Sequence, residues 1–501
     1  MSDFIDSYPL FDELYCISDL HLGGEAGFQM FSQGELLGDL FRHLAAIDIQ
    51  RRVVLVINGD FIDFLAEAKT EQVYLDTRGA VGKLRRVFGD PSVGPALAAL
   101  AGYLGTDNRF LAITLGNHDL ELALPDVREE LVRHLAGGDA SARGRLFLAL
   151  DGTGFTARVG QENQAAARVV AVHGNDADPL NVTDHEALRR VCLDLSLGRA
   201  PDAWNPNAGT KLVIDLMNGI KERYPFVDLL KPEMQAVVPT LTALDPQLLD
   251  RVPKLWGVAK RAVADSFRRA IGLLGGEELP TEWASAAFQT APYEPAGAWS
   301  PSGSEKAAAV EALLANADHY LARELDPVEL AGSGGLELLG PWGLALDLFR
   351  KRDPKENLRE TLEKWLDAEP QGSLITPDKV YRKLGLAAGS DVEVVLTGHT
   401  HKPRAMKRGN GLYFNSGAWA DRIVLTRADL TKDRFEEVFN AFRSHRRQAL
   451  DDAGLVRRQP LVVWVAPENG KIVGQICEVV KKQKSVSLKP LEGSRLEVEK
   501  S

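Results

Sequence analysis

Residues 53–63 read VVLVINGDFID, an apolar run that stops abruptly at a glycine and an aspartate. The run is rich in β-branched residues, and its short length and polar flanks are typical of a buried β-strand. Four other segments show the same change from an apolar run to Asp, Asn or His, and they are Leu14–Ser18, Phe110–Leu115, Val169–Val172 and Val392–Leu396. The sequence therefore predicts five buried strands that each end in polar residues.

Helical patterns separate these predicted strands, for example over residues 34–49 and 93–105. Alternating strands and helices are typical of a layered α/β fold. In open α/β sheets, ligands bind outside the carboxyl ends of the strands. We therefore expect the polar residues that follow the five strands to converge on one site.

Five short motifs follow these strands, and five of the ten histidines lie in them. The motifs are Asp19-x-His21, Gly59-Asp60-x-x-Asp63, Gly116-Asn117-His118-Asp119, His173-Gly174-Asn175 and Gly398-His399-x-His401. Two divalent ions about 3.5–4 Å apart can clamp a phosphate and generate hydroxide from bound water. Carboxylates offset the charge of such ions, and imidazoles suit Mn, Fe or Zn. The motifs contain no cysteine, which argues against a structural zinc site. Asp60 is the best candidate to bridge both ions.

The five motifs resemble those of the calcineurin-like metallophosphoesterase superfamily over residues 13–180 and 390–426. The resemblance implies a four-layer α/β/β/α sandwich with a dinuclear metal centre and a metal-bound hydroxide as the nucleophile. It implies that one ion is bound by Asp19, His21, Asp60 and His401, and that the second shares Asp60 and adds Asn117, His173 and His399. His118 would stabilise the phosphoryl oxygens or protonate the leaving group, Asp119 would orient His118, and Asp63 would lie behind the ligands.

A narrower resemblance is to the UDP-diacylglucosamine pyrophosphohydrolase branch of this superfamily. It rests on Ile17–Leu22, Gly59–Asp63, His399–Pro403 and Gly417–Trp419. The chain departs from that branch in two ways, because His118 stands where the branch typically has Arg and because the insertion before His399 is much longer. The branch would imply a nucleotide-lipid substrate.

The domain organisation follows from where the motifs lie. Residues 10–186 and 390–480 are predicted to form two parts of one metallophosphoesterase domain. Residues 187–389 lack alternating strands and predict a mostly helical insertion, which is a candidate cap over the site because it joins two motif-bearing strands. Residues 481–501 are polar and charged and are expected to form a loose tail.

Composition narrows the function classes. The 501 residues carry a net charge of −11, which argues against a protein that mainly grips nucleic acid. Three scattered cysteines, no signal peptide and no long apolar run predict a cytoplasmic protein without a transmembrane segment. We expect a hydrolase of phosphoester or pyrophosphate bonds with two divalent ions, Mn, Fe or Zn, acting on a phosphorylated small molecule or nucleotide-lipid. The alternatives are a nucleotide or nucleic acid phosphodiesterase and a catalytically silent binding scaffold.

Overall fold

The computed structural model describes residues 7–24, 28–66, 77–161, 166–202, 204–231, 373–483 and 485–499, with short pieces within 240–244 and 353–363. The chain forms two compact units. The first consists of Met1–Met234, Pro370–Thr426 and Glu436–Ser501, and it contains all the predicted site residues. The second consists of Gln235–Glu369 and Arg427–Phe435. Most of the predicted helical insertion, including any capping role, lies outside the described residues.

The described part of the chain contains strands and helices in mixed order. The strands are β1 (Leu10–Phe11), β2 (Glu13–Ile17), β3 (Val53–Asn58), β4 (Arg109–Thr114), β5 (Leu146–Ala149), β6 (Phe155–Val159), β7 (Ala167–Ala171), β8 (Leu230–Lys231), β9 (Val394–Thr397), β10 (Arg404–Arg408), β11 (Gly411–Asn415), β12 (Arg422–Val424), β13 (Val456–Arg457), β14 (Leu461–Glu468), β15 (Lys471–Lys482), β16 (Ser485–Pro490) and β17 (Leu496–Glu499). The α-helices are α1 (Gly34–Ala45), α2 (Thr77–Gly89), α3 (Gly94–Gly105), α4 (Pro125–Ala136), α5 (Ala140–Gly144), α6 (His185–Ser196), α7 (Ala208–Leu212), α8 (Asn218–Lys221), α9 (Lys432–Arg443) and α10 (Arg447–Asp452).

Two large sheets organise the first unit. One has the strand order β16-β15-β14-β2-β3-β4-β5, with β17 also paired to β15, and its β2 to β5 strands run parallel. The other has the order β1-β6-β7-β9-β11-β10. A small third sheet has the order β13-β12-β8. The expected α/β class is confirmed as a mixed fold with parallel and antiparallel pairing.

Side chains of the central strands alternate between two apolar cores. In β2, Tyr15 and Ile17 pack into the core shared with α1, α3 and α4, whereas Leu14 and Cys16 pack into a core shared by the two large sheets. Successive side chains of a strand point to opposite faces, so both faces of this strand are buried. This double burial explains why the strand reads as an unbroken apolar run in the sequence.

The C-terminal residues contradict the expected loose tail. β16 and β17 each pair with β15 in antiparallel register, and Val486 is buried in the main core. The segment is polar because alternate side chains, such as Lys489 and Glu497, are exposed. A strand that buries only one of its two faces needs apolar residues at only half of its positions.

Within the described residues, no helix combines the length and the apolar character that crossing a bilayer requires.

Candidate metal centre

The carboxyl ends of five strands bring the predicted motifs together. In the larger sheet, β2, β3 and β4 run parallel, so the motifs of Asp19, Asp60 and Asn117 follow neighbouring strand ends. In the other sheet, β7 and β9 run parallel and place His173 beside His399, with their ring centroids 5.4 Å apart. The expected convergence of the five motifs on one site is what the structure shows.

The backbone at this site adopts an unusual conformation. Asp19, His21, Asp60, His399 and His401 all have positive φ angles, between 47° and 67°. These five account for more than half of the nine non-glycine residues with positive φ in the described part of the chain. Such residues are uncommon, and the strain they carry tends to concentrate at functional sites. The surrounding hydrogen bonds hold this geometry, since the amide of His21 donates to the carbonyl of Asp60 at 2.9 Å.

The first group of potential ligand atoms comes from Asp19, His21 and His401, all buried. His401 Nε2 lies 3.2 Å from Asp19 Oδ1 and 3.3 Å from His21 Nε2. Asp60 Oδ2 lies 3.6 Å from His21 Nε2. The four residues that the resemblance assigns to the first ion therefore present oxygen and nitrogen atoms to a common point.

The second group comes from Asp19, Asp60 and His173, also buried. His173 Nε2 lies 3.2 Å from Asp60 Oδ2, while its Nδ1 donates to the carbonyl of Asn58 at 2.8 Å. Asn117 is buried, and its Oδ1 has no hydrogen-bond partner among the described residues. An unsatisfied buried amide oxygen costs free energy, and a bound cation would satisfy it. Asp19 belongs to both groups, and Asp60 Oδ2 lies near His173 of the second group and His21 of the first.

His118 lies at the edge of the same cluster, and the structure corrects its predicted partner. His118 Nδ1 lies 3.2 Å from Asp63 Oδ1, and the other oxygen of Asp63 lies 3.2 Å from His21 Nδ1. Asp119 was expected to orient His118. Its two oxygens instead accept backbone amides, from Phe61 and Gly116, at 2.7 Å each. Asp119 therefore fixes two motif-bearing loops, because a buried carboxylate takes the N–H donors that the sharp turns leave unpaired.

The close packing of carboxylates and imidazoles shifts their pKa values. Burial alone would raise the pKa of Asp60, but the adjacent His173, His118 and His21 lower it well below its ordinary value. Burial opposes protonation of His118, yet Asp63 and Asp60 raise its pKa to about 9. The pKa of Asp119 is raised to about 7 by burial and by the charge of Asp60. These directions show that carboxylates and imidazoles interact electrostatically in this buried cluster.

For three of the clustered histidines, one ring nitrogen contacts a group outside the two groups of ligand atoms described above. His21 Nδ1 faces Asp63, His173 Nδ1 faces a backbone carbonyl, and His399 Nε2 lies 3.2 Å from Asp178 Oδ2. Such outer contacts orient histidines that bind metals through the other ring nitrogen. The sequence reasoning missed Asp178, five residues beyond His173, because only the tertiary fold brings it to His399.

Two neighbours that could have lined the site do not face it. Asn175 Nδ2 donates to the carbonyl of Asn181 and to Thr183 Oγ1, and Asp176 Oδ2 lies 2.9 Å from His185 Nε2. Both residues instead make contacts within the segment that follows β7. Three histidines, two aspartates and the amide oxygen of Asn117 together form a donor set that could hold divalent metal ions.

Comparisons with known proteins give short matches. No profile of a known protein family matches the chain. A stretch of 71 residues is 37% identical to a phosphoglycolate phosphatase of Halorubrum lacusprofundi, covering 13% of this chain and 31% of that protein. The chain thus spans about a third of the length of that relative. Vacuolar protein sorting 29 from Cryptosporidium parvum is similar over 28% of this chain and 44% of its own, with 18% identity and a TM-score of 0.12.

Proposed function

We propose that this protein is a hydrolase of phosphoester or pyrophosphate bonds that uses two divalent metal ions, with the four-layer sandwich and the chemistry of the calcineurin-like metallophosphoesterases. The observation that carries the proposal is the position of Asp60 Oδ2, which lies 3.6 Å from His21 Nε2 in one group of buried ligand atoms and 3.2 Å from His173 Nε2 in the other. The short match to a phosphatase agrees with phosphoester chemistry. A phosphorylated small molecule or nucleotide-lipid in the cytoplasm is the substrate that we propose.

In this proposal the ligands divide between the two ions as the resemblance to the metallophosphoesterases implies. Asp19, His21, Asp60 and His401 would hold one ion, and Asp60, Asn117, His173 and His399 would hold the other. When bound, the two ions would supply Lewis acidity toward the phosphoryl oxygens and an activated water. Manganese fits the mixture of hard oxygen ligands and imidazoles.

His118 supplies the proton chemistry of the proposed reaction. It is the most exposed of the clustered imidazoles, at 19% for its side chain, and can therefore reach a substrate. Asp63 accepts a hydrogen bond from Nδ1, which keeps the ring oriented and favours its protonated form. The remaining Nε2–H can donate to a phosphoryl oxygen or to the leaving group. Proton donation by a positioned side chain contributes typically 10²- to 10⁴-fold to a rate.

A metal titration combined with a hydrolysis assay tests this function. The protein is stripped with a chelator, reloaded with Mn²⁺, and assayed with bis(p-nitrophenyl) phosphate and p-nitrophenyl phosphate. We expect two ions per chain and turnover that the chelator abolishes. Asp60→Asn is expected to lose both the metal pair and turnover, because the bridging charge is removed. Asp107→Asn, at a position that is 84% exposed, is the matched control.

The alternatives predict different results when the same preparation is also assayed with a cyclic nucleotide, an oligonucleotide and a nucleotide-lipid pyrophosphate. A binding scaffold would bind metal but hydrolyse neither ester. A phosphodiesterase of nucleotides or nucleic acid would cleave a cyclic nucleotide or an oligonucleotide faster than a nucleotide-lipid pyrophosphate. A wild-type protein that binds no divalent ion at micromolar concentration would refute the proposed function.

A further inference from the structure

Asp178 lies just beyond the turn after β7 and occupies a largely buried position beside His399. Its carboxylate is 13% exposed, and Oδ2 receives three polar contacts. His399 Nε2 lies at 3.2 Å, Lys379 Nζ at 2.7 Å and Asn181 Nδ2 at 3.1 Å. The carboxylate is therefore fixed by groups from three parts of the chain, the segment after β7, the segment before β9 and the loop after β9.

His399 is restrained at its backbone as well as at its ring. Its φ angle is 67°, and its amide N lies 3.1 Å from both oxygens of Asp19. This contact sets the position of the Cα atom but leaves the imidazole free to rotate. The contact with Asp178 removes that freedom, because a ring whose Nε2–H is held by a carboxylate can offer only Nδ1 as a lone pair.

We propose that Asp178 is a positioning residue for the second metal position, which accepts the Nε2–H of His399 so that Nδ1 faces the candidate centre. The inference rests on the proposed metal centre and deepens it. Lys379 is the second charged partner of the same oxygen and keeps the carboxylate in place as well as offsetting its charge. Asp178 touches neither substrate nor metal and acts through His399.

The test is a calorimetric titration of chelator-stripped protein with Mn²⁺ alone. Loss of an outer partner of a metal-binding histidine typically costs 10- to 100-fold in metal affinity. We therefore expect Asp178→Ala to weaken one of two Mn²⁺ sites by 10- to 100-fold and to leave the other within threefold of wild type. Asp178→Asn retains an acceptor for Nε2–H and is expected to recover most of the loss.

Asp176→Ala is the matched control, since it removes a carboxylate two residues away whose histidine partner, His185, lies outside the cluster. It is expected to bind both ions as wild type does. Circular dichroism and the thermal midpoint show whether each variant folds, and Asp178→Asn tests the role if Asp178→Ala does not.

Three results would overturn the role of Asp178. These are unchanged affinity for both ions in Asp178→Ala, equal weakening of both ions, and the same loss in Asp176→Ala. A wild-type protein that binds fewer than two Mn²⁺ ions refutes the dinuclear centre itself, so the two failures are distinguishable.

Discussion

Single atoms decide the geometry around Asp60. A Cβ placed on Gly116 would lie 2.2 Å from Asp60 Oδ1 and 2.4 Å from its backbone N, and one placed on Gly59 would lie 2.4 Å from His173 Nδ1. None of these three distances is compatible with van der Waals contact. Both glycines precede motif residues because the backbone of one loop must approach the side chain of another.

Gly116→Ala is predicted to damage the candidate centre without a general loss of fold. The added methyl group must displace Asp60, so we expect Mn²⁺ affinity and turnover to fall at least tenfold. Gly102→Ala in α3 is the control, since a Cβ there meets nothing within 4 Å and alanine favours a helix over glycine by about 1 kcal/mol. Calorimetric binding and thermal unfolding measure both variants. Normal Mn²⁺ binding by Gly116→Ala would contradict the described packing.

His118→Ala is predicted to separate chemistry from metal binding. His118 contacts Asp63 and is not among the proposed metal ligands. Removal of its imidazole should therefore leave two ions bound. Turnover of the diester is expected to fall by 10²- to 10⁴-fold, which is the usual contribution of a positioned acid. Steady-state rates and metal analysis of the same sample check this. A variant with normal turnover would remove His118 from the mechanism.

At the residue scale, the ligand candidates could be read from the sequence but their partners could not. The types and spacing of Asp19, His21, Asp60 and His173 follow from motifs at strand ends. The partner of His118 was predicted to be the adjacent Asp119, and it is Asp63, which is 55 residues away in the chain. The side chains of His118 and Asp119 point to different partners although the two residues are adjacent in sequence. The loops after the parallel strands β3 and β4 bring Asp63 and His118 together.

Helices α2 and α4 are joined by a charged cluster around Glu130. Arg85 Nε donates to Glu130 Oε1 at 2.7 Å, and Arg133 and His134 contact the same carboxylate. The hydrogen bond from Arg85 is the largest cause of a pKa of Glu130 lowered from 4.5 to about 2. The carboxylate is thus favoured in its charged form in the folded protein.

The pH dependence of this contribution has a defined sign. Because the folded pKa is depressed, the stabilisation is fully present above about pH 4.5 and is lost as the pH falls toward about 2. The difference in unfolding free energy between wild type and Glu130→Gln is therefore expected to shrink across this window. Urea titrations at several pH values measure it, with the more exposed Glu129→Gln as the control. A difference that is constant with pH would contradict the prediction.

Whether a strand could be predicted from the sequence depended on how clear its pattern of apolar residues is. Central strands such as β3 could be recognised because both of their faces are buried and their residues are uniformly apolar. The strands β16 and β17 were missed because each buries only one face. Their alternation of polar and apolar residues covers only a few positions, which is too short to predict a strand. Pairing with β15 is what forms these strands in the folded protein.

The C-terminal pairing adds two strands to the larger sheet of the first unit. Truncation after Lys482 removes β16 and β17, and with them the buried side chains of Val486 and Ser494. Burying one Val side chain contributes about 1.5–3 kcal/mol, so we expect a lower thermal midpoint by several degrees. Lys489→Ala, at an exposed position of β16, is the control and is expected to unfold as wild type does. An unchanged thermal midpoint after truncation would contradict this prediction and would support the loose tail that the composition suggested.

The sequence by itself determined the candidate ligands of the proposed metal centre, because the residue types that bind divalent cations are few and are placed directly after strands whose apolar composition is unmistakable. It also determined the α/β class, since strand and helix periods alternate along the chain. Only the tertiary structure decided which carboxylate contacts and orients each histidine. Asp63 faces His21 and His118, and Asp178 faces His399, because strand pairing and packing bring together side chains that no local pattern connects.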